Sequence, residues 1–179
     1  MAVSVVEPRD LGRDEWTAAE RLVRSAFGAD FRSHDWLHAV GGVHVLITDG
    51  DALLAHAAVV ARTLRHDGAL FDTGYVEGVA VRADTQGRGL GRVVMDHAES
   101  IIRERHQIGA LNAVESAATF YAGRGWQLWS GPTHGDTPQG MIDTYDDADR
   151  IFLLPSPGLA HGFSATQPLI CDWRVGDLW

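Results

Sequence analysis

Tyr75-Val76-Glu77-Gly78-Val79-Ala80-Val81, followed after Arg82–Thr85 by Gln86-Gly87-Arg88-Gly89-Leu90-Gly91, is the segment on which the reading of this chain turns. β-Branched residues and an aromatic lead up to Val81, and glycines at every second position then open an amphipathic helix near Leu90. Without Cβ atoms, successive backbone N–H groups can converge on one point, and the helix that follows adds its positive dipole end. Phosphate or pyrophosphate is the natural guest of such a turn. Gly87, Gly89 and Gly91 give G-x-G-x-G rather than the dinucleotide G-x-G-x-x-G, and no Gly-Lys-Ser/Thr follows as in a P-loop. Taken alone, the segment reads equally as a strand-to-helix turn with no ligand.

The helix through Arg105 carries Leu90, Val93, Val94, Ala98 and Ile101 on one stripe, and Arg92, Asp96, Glu99, Arg103 and Glu104 on the other face. Downstream, Ala110–Val114 reads as a strand and Ser116–Arg124 as a helix bearing Phe120-Tyr121, with Gly125 in a C-cap position. Gln86, Gly89 and Gly91 match the Q/R-x-x-G-x-G/A motif of the GCN5-related N-acetyltransferase (GNAT) superfamily, and Phe120-Tyr121-x-x-x-Gly125-Trp126 resembles that superfamily's F-Y-x-x-x-G-F signature. The resemblance implies an acetyl-CoA site on Val79, Val81, Gln86, Gly87, Arg88, Gly89, Leu90 and Gly91, with Tyr121 facing the coenzyme sulfur. Read without it, Tyr121 is a half-buried aromatic anchoring a helix.

With 179 residues the chain is the size of one domain, and a single GNAT domain over residues 1–179 is expected. Fifteen Lys and Arg against 24 Asp and Glu leave a formal charge of −9, which argues against nucleic acid as a partner and suits a cationic ligand, although on charge alone the plainer reading is an aid to solubility. No apolar run approaches a membrane span, and Met1–Asp10 lacks the features of a signal peptide, so no membrane association and a cytoplasmic location are expected. Cys171 is the only cysteine, which excludes an intrachain disulfide and reads as a small core residue.

The remaining elements follow from periodicity and turn chemistry. Val3–Val6 reads as a strand and Asp14–Phe27 as a helix stopped by Gly28. Ser33 can cap a short helical segment holding Asp35, Trp36 and His38. Strands at Val43–Ile47, Leu53–Leu64 and Leu70–Val81 are separated by Asp49-Gly50 and Asp67-Gly68, which predicts an antiparallel meander. Trp126–Trp129, Ile151–Leu154 and Leu169–Trp173 complete the strands, and Gly131–Arg150 reads as a long loop of the kind that lines binding sites. The predicted fold class is α/β (α+β): a central mixed, mostly antiparallel sheet with helices on both faces. Tyr75–Val81 and Ala110–Val114 form its parallel pair, since a helix crosses between them; in the GNAT fold this pair splays.

Ala29-Asp30-Phe31, Asp35-Trp36, Gly41-Gly42-Val43-His44, Gly74-Tyr75-Val76-Glu77 and the C-terminal Cys171-Asp172-Trp173-Arg174-Val175-Gly176-Asp177-Leu178-Trp179 resemble the aminoglycoside 2′-N-acetyltransferases almost end to end. That resemblance implies substrate contacts at Asp30, Asp35, Glu77, Gly78, Asp147, Asp177 and the carboxylate of Trp179, and a homodimer. A polycationic amino sugar needs carboxylates to offset its desolvation and fix its orientation. Each acid also has a plainer reading: Asp30 and Asp35 as turn caps, Asp177 as a solvated residue, and Asp143, Asp146, Asp147 and Asp149 as one solvated loop face. Asn112–Glu115 departs from the run of small hydroxyl residues that the family shows, and Gly131–Arg150 matches it poorly.

Acetyl transfer requires a neutral amine, a donor to the developing oxyanion and a proton for the departing thiolate. A bulge at Gly78 would free a backbone N–H, that of Val79, to polarise the thioester carbonyl. The resemblance assigns Glu77 as base through water, the Trp179 carboxylate as competing base and Tyr121 as proton donor. No metal is expected, since His34 and His38 stand at i, i+4 without a third ligand in the sequence pattern. The competing readings are an acetyltransferase for another small polyamine or amino sugar, and a non-catalytic acetyl-CoA sensor.

Overall fold

The computed structural model describes residues 1–156 and 163–179, and the side chain of Asp30 lies outside the described set. Backbone contacts divide the chain into two units: residues 1–60 with 76–101, and residues 61–75 with 102–179. Two long strands and one helix contribute residues to both. No helix among the described residues is long and apolar enough to cross a membrane.

The first unit holds β1 (Ala2–Val6), α1 (Arg13–Phe27), α2 (Ser33–Val40), β2 (Val43–Asp49), the first part of β3 (Ala52–His66), the last part of β4 (Ala69–Val81) and the first turns of α3 (Leu90–Arg105). β1 pairs antiparallel with β2, Val5 facing Val45, and β2 pairs antiparallel with β3 with a register shift between Ile47 and Thr48. Glu15 Oε2 accepts from the Gly12 N–H at 2.9 Å and closes the first turn of α1, while Gly28, at φ +66°, donates its N–H to Arg24 O at the other end. Ala19, Leu22 and Val23 of α1 meet Trp36 and Ala39 of α2 over Leu46, Ala58 and Ala80 of the strands. Trp16 stands edge-on to Trp36 at 5.5 Å.

In the second unit the strand order is β6-β9-β5-β4-β3-β10-β7-β8, with β5 Ile108–Asn112, β6 Gln127–Leu128, β7 Thr133–Thr137, β8 Gly140–Asp143, β9 Ile151–Pro155 and β10 Leu169–Cys171. The expected parallel pair is present, but its ladder covers only Thr73–Tyr75 against Ile108–Ala110, although both strands run on beyond it. A second parallel pair, β10 with β7, was not anticipated. Leu64, Tyr75, Ile108, Ala110, Ile151, Leu153, Leu169, Cys171 and Trp179 form the core of this unit.

Several expectations need correction. Gly131–Arg150 is not a plain loop, since β7 and β8 form a hairpin within it; β8 is exposed throughout, so its residues carry no apolar alternation to announce a strand. The strand expected at Ala110–Val114 is β5, ending at Asn112; Gly109 disguised its start. A Cβ at Gly109 would come within 3.0 Å of Trp126 and 3.1 Å of Ile102, so the glycine marks close packing rather than a turn. The helix expected over Ser116–Arg124 is a 3-10 turn at Glu115–Ala117 followed by α4 (Ala118–Ala122), with Gly125 at φ +89° just beyond. Trp126–Trp129 contracts to Gln127–Leu128, and Leu169–Trp173 ends at Cys171. Glu99, expected on the solvated face of α3, is buried at 4% exposure, because positions 95, 98, 99 and 102 share one stripe.

Candidate active site

In the first unit, β4 breaks its pleat at Gly78, where φ is +59°. Tyr75 and Val76 are both buried and Glu77, Gly78 and Val79 are half-buried, so strict alternation is lost across this stretch. His56 Nδ1 lies 2.7 Å from the Gly78 carbonyl oxygen, and His44 Nδ1 lies 2.9 Å from His56 Nε2. The sequence reading gave neither histidine a role, although His44 stands in one of the quoted stretches; the available signal was a polar residue inside each of two apolar strands.

Beyond Val81, the Gln86 side chain donates to the Val81 carbonyl at 3.2 Å, folding the turn back on its strand. Gly87 and Gly89 have φ of +75° and +82°, with nothing within 4 Å of where a Cβ would stand. Gly89 O accepts from the N–H groups of Arg92 and Val93 and starts α3. Arg88 is exposed, Leu90 is buried beneath the turn, and Gly91 lies in the first helical turn. The result is an open, left-handed backbone cradle at the N-terminus of a 16-residue helix, which suits a pyrophosphate.

Asp35 has the plainer role that the sequence allowed as well as any other. Its Oδ2 accepts from the Arg32 N–H at 2.7 Å and caps α2 in place of the expected Ser33, and its Oδ1 lies 3.3 Å from His34 Nε2. Asp30 belongs to a 3-10 turn, Gly28–Asp30; the contact expected of its side chain falls outside the described residues.

In the second unit, the C-terminal motif is tied into the core. Trp179 is 7% exposed, and its indole N–H donates to Thr144 Oγ1 at 2.8 Å. Arg62, 6% exposed, donates from Nε to Asp172 Oδ1 at 2.8 Å, from Nη2 to Asp172 O at 2.9 Å and from Nη1 to Leu178 O at 2.7 Å. Its guanidinium lies 4.8 Å over the Tyr75 ring, and Arg174 approaches the same ring at 5.3 Å. Asp177 is exposed, and its main-chain oxygen accepts from Arg174 Nε at 2.6 Å. Arg62 and Thr144 were missed because each acts through partners distant in sequence.

A cleft of about 280 Å³ is lined by Trp129, Tyr145, Asp146, Asp147, Asp149 and Arg150 among others. Asp147 is exposed and accepts from the Tyr145 hydroxyl at 2.7 Å. Asp149 is the half-buried member: Asn112 Nδ2 donates to its Oδ1 at 2.6 Å, and Asn112 Oδ1 accepts from the Arg150 N–H at 2.9 Å. The two segments that depart from the family pattern are therefore one feature, a residue of β5 locked to the acidic loop. Burial raises the Asp149 carboxyl above the usual range, opposed by the Asn112 bond and reinforced by the charges of Asp146 and Asp177. The spacing of four aspartates within seven residues could not tell which one faces inward.

Tyr121, on α4, is 6% exposed and packs against Trp126 and Phe152. Burial pushes its hydroxyl up to about 12, against the pull of Arg124, so it keeps its proton. Cys171 is buried, and burial raises its thiol to about 11, which makes it the inert core residue expected.

The first unit thus carries a strand broken at a glycine and a left-handed glycine cradle opening a helix, and the second a buried, protonated tyrosine. Residues 7–129 match the family model described as acetyltransferase (GNAT) domain, and this chain belongs to that family. Over 177 residues it is 44% identical to the aminoglycoside 2′-N-acetyltransferase of Mycolicibacterium fortuitum, spanning 98% of this chain and 90% of that one. Solved structures share the fold. An acyl-CoA N-acyltransferase from Pseudomonas aeruginosa aligns with a TM-score of 0.63 at 15% identity, covering 86% of this chain and 98% of that one. The ribosomal-protein-S18-alanine N-acetyltransferase of Escherichia coli aligns at 0.61 and 19% identity, covering 90% and 100%.

Proposed function

We propose that this protein transfers the acetyl group of acetyl-CoA to the 2′-amino group of aminoglycosides, directly and in a ternary complex. The observation that carries the reading is the 44% identity, over nearly the whole chain, to an aminoglycoside 2′-N-acetyltransferase. The anchoring of Trp179 and the aspartate-lined cleft support it. An acceptor with several ammonium groups is stabilised by carboxylates that replace its lost hydration. Asp30, Asp35, Glu77, Asp147 and Asp177 serve that role in this reading, together with Gly78, the Trp179 carboxylate and Asp149.

Acetyl-CoA supplies an acyl carbon activated as a thioester. The Gly87–Gly89 cradle, with Gln86, Arg88, Leu90 and Gly91 around it and Val79 and Val81 leading into it, would hold the coenzyme. One C–N bond forms, one C–S bond breaks, the nitrogen loses a proton and the sulfur gains one. Glu77 takes the amine proton through water, with the Trp179 carboxylate as the competing base. Val79 N–H stabilises the oxyanion, and Tyr121 donates toward the departing sulfur. Holding amine and thioester in line contributes the larger share of the acceleration. The same reading takes the protein to be a cytoplasmic homodimer that inactivates an antibiotic by acetylating it.

The test is thiol release from acetyl-CoA with tobramycin, which has a 2′ amine, against kanamycin A, which has a hydroxyl there. Turnover with the first alone supports the reading. Equal turnover with both removes the 2′ assignment, and turnover with spermine alone moves the substrate class to polyamines.

A further inference from the structure

Two histidines lie inside the first unit, His44 on β2 and His56 on β3, each with 0% exposure. Trp36 packs against both, its ring 6.1 Å from His44 and 5.7 Å from His56. Imidazoles are costly to place in such surroundings unless their nitrogens are satisfied. Three of the four stand in single file, His44 Nδ1 against His56 Nε2 at 2.9 Å, then His56 Nδ1 against the Gly78 carbonyl at 2.7 Å, while His44 Nε2 is buried without a hydrogen-bond partner among the described residues. A carbonyl only accepts, so the proton of His56 sits on Nδ1. A neutral His56 then presents a bare Nε2, which accepts from a proton on His44 Nδ1. Burial holds the pKa of His56 down to about 3 and lowers that of His44, so both rings are neutral at ordinary pH.

The far end of the file is the one residue of β4 with a positive φ. With φ at +59°, Gly78 turns its peptide out of the pleat, and a Cβ there would come within 3.3 Å of His56 Cε1 and 3.4 Å of Val23 Cγ2. A buried carbonyl left without a donor costs about 1–3 kcal/mol, and His56 provides the donor. The Gly78 C=O and the Val79 N–H belong to the same planar peptide and point in opposite directions. Whatever holds that oxygen therefore aims that N–H.

We propose that His56 is a positioning residue for acyl transfer: it clamps the Gly78 carbonyl and thereby directs the Val79 N–H at the thioester oxygen, while His44 keeps His56 in the tautomer that can do so. The inference rests on the functional reading above, in which Val79 N–H stabilises the oxyanion. Donors fixed in advance toward developing charge act on the chemical step more than on binding. His56→Leu removes the clamp; His56→Asn keeps an N–H near the place of Nδ1.

The experiment measures kcat and KM for acetyl transfer to tobramycin, calorimetric Kd for coenzyme A, and melting curves for both variants. The expected result for His56→Leu is a kcat lowered by about ten- to a hundredfold, with both KM values and the coenzyme Kd within about threefold of wild type; His56→Asn restores most of kcat. A His56→Leu protein that melts cooperatively and keeps kcat within about twofold overturns the inference, as does a His56→Asn protein equally impaired. Should His56→Leu not fold, the native protein decides: nitrogen resonances of 15N-histidine-labelled enzyme must place the His56 proton on Nδ1, and a proton on Nε2 overturns the clamp. Wild-type enzyme that releases no thiol with any aminoglycoside overturns the functional reading and this inference together, whereas active wild type with an unaffected variant overturns the inference alone.

Discussion

Arg62 and Asp172 are joined twice over, the guanidinium reaching both the side-chain Oδ1 at 2.8 Å and the main-chain oxygen at 2.9 Å of the same aspartate. The Thr63 N–H adds a bond to Asp172 Oδ2 at 3.2 Å, and Arg62 Nη1 also holds Leu178 O. One buried cation thus fixes both ends of the segment that ends in Trp179. Arg62→Met leaves these acceptors without their donor and is expected to cost about 2–4 kcal/mol in urea denaturation. Arg62→Lys recovers only part of that, because an ammonium cannot reproduce the planar fork. In either variant the KM for the aminoglycoside rises more than that for acetyl-CoA.

Tyr121→Phe removes a hydroxyl whose pKa of about 12 keeps it protonated across any practical assay range. The expected outcome is a kcat lower by about ten- to a hundredfold with little change in KM, and no acid or base limb between pH 6 and 10 attributable to this group. Wild-type kcat in the variant removes Tyr121 from the proton inventory.

Asp149 titrates above the usual carboxylate range, first because of burial. A raised pKa means that its negative charge is lost earlier as pH falls, so the attraction for a cationic acceptor weakens on the acid side first at this residue. Asp149→Asn should raise acceptor KM by about three- to thirtyfold at pH 7.5 and flatten the rise of KM on the acid side. A pH profile of acceptor KM identical in variant and wild type places Asp149 outside the acceptor site.

The buried histidines make a prediction about stability. His56 falls from 6.5 unfolded to about 3 folded, so in that interval the unfolded chain binds the extra proton. Its contribution is complete above pH 6.5 and is lost as pH drops toward 3, about 2 kcal/mol of it by pH 5. The lowered His44 acts with the same sign. Urea midpoints at pH 7 and pH 5 should therefore converge more closely in His56→Asn than in wild type.

Gly89→Ala places a Cβ on a residue at φ +82° that is otherwise open to solvent. Strain of about 1 kcal/mol is expected in stability, alongside a KM for acetyl-CoA raised about tenfold or more and an aminoglycoside KM left nearly unchanged. An acetyl-CoA KM equal to wild type indicates that the cradle binds elsewhere on the coenzyme or not at all.

Local pattern carried most of the fold. The boundaries of α1, β2, β3, β4 and α3 lie within a few residues of those read from periodicity and turn pairs. β8 was illegible because it has no buried side, and the helix at Tyr121, expected over Ser116–Arg124, was read too long because five residues are too few to show a period. Glu99 went astray for the opposite reason, since a charged letter hid a buried position. In the candidate site, Gly87, Gly89 and Tyr121 were visible because glycine geometry and a motif spacing are local properties. Arg62, His56 and Asp149 were not.

The sequence by itself determined that a glycine-rich turn joins a strand to an amphipathic helix, and that acids outnumber bases along a chain with a tryptophan-ended motif. Only tertiary structure decided which of those acids is half-buried, that Asn112 locks the acidic loop, and that His56 takes the carbonyl of Gly78. The physical reason is range. Backbone conformation is set by neighbours along the chain, whereas desolvation and hydrogen-bond direction depend on residues 22 positions apart, as His56 and Gly78 are, or 110, as Arg62 and Asp172 are.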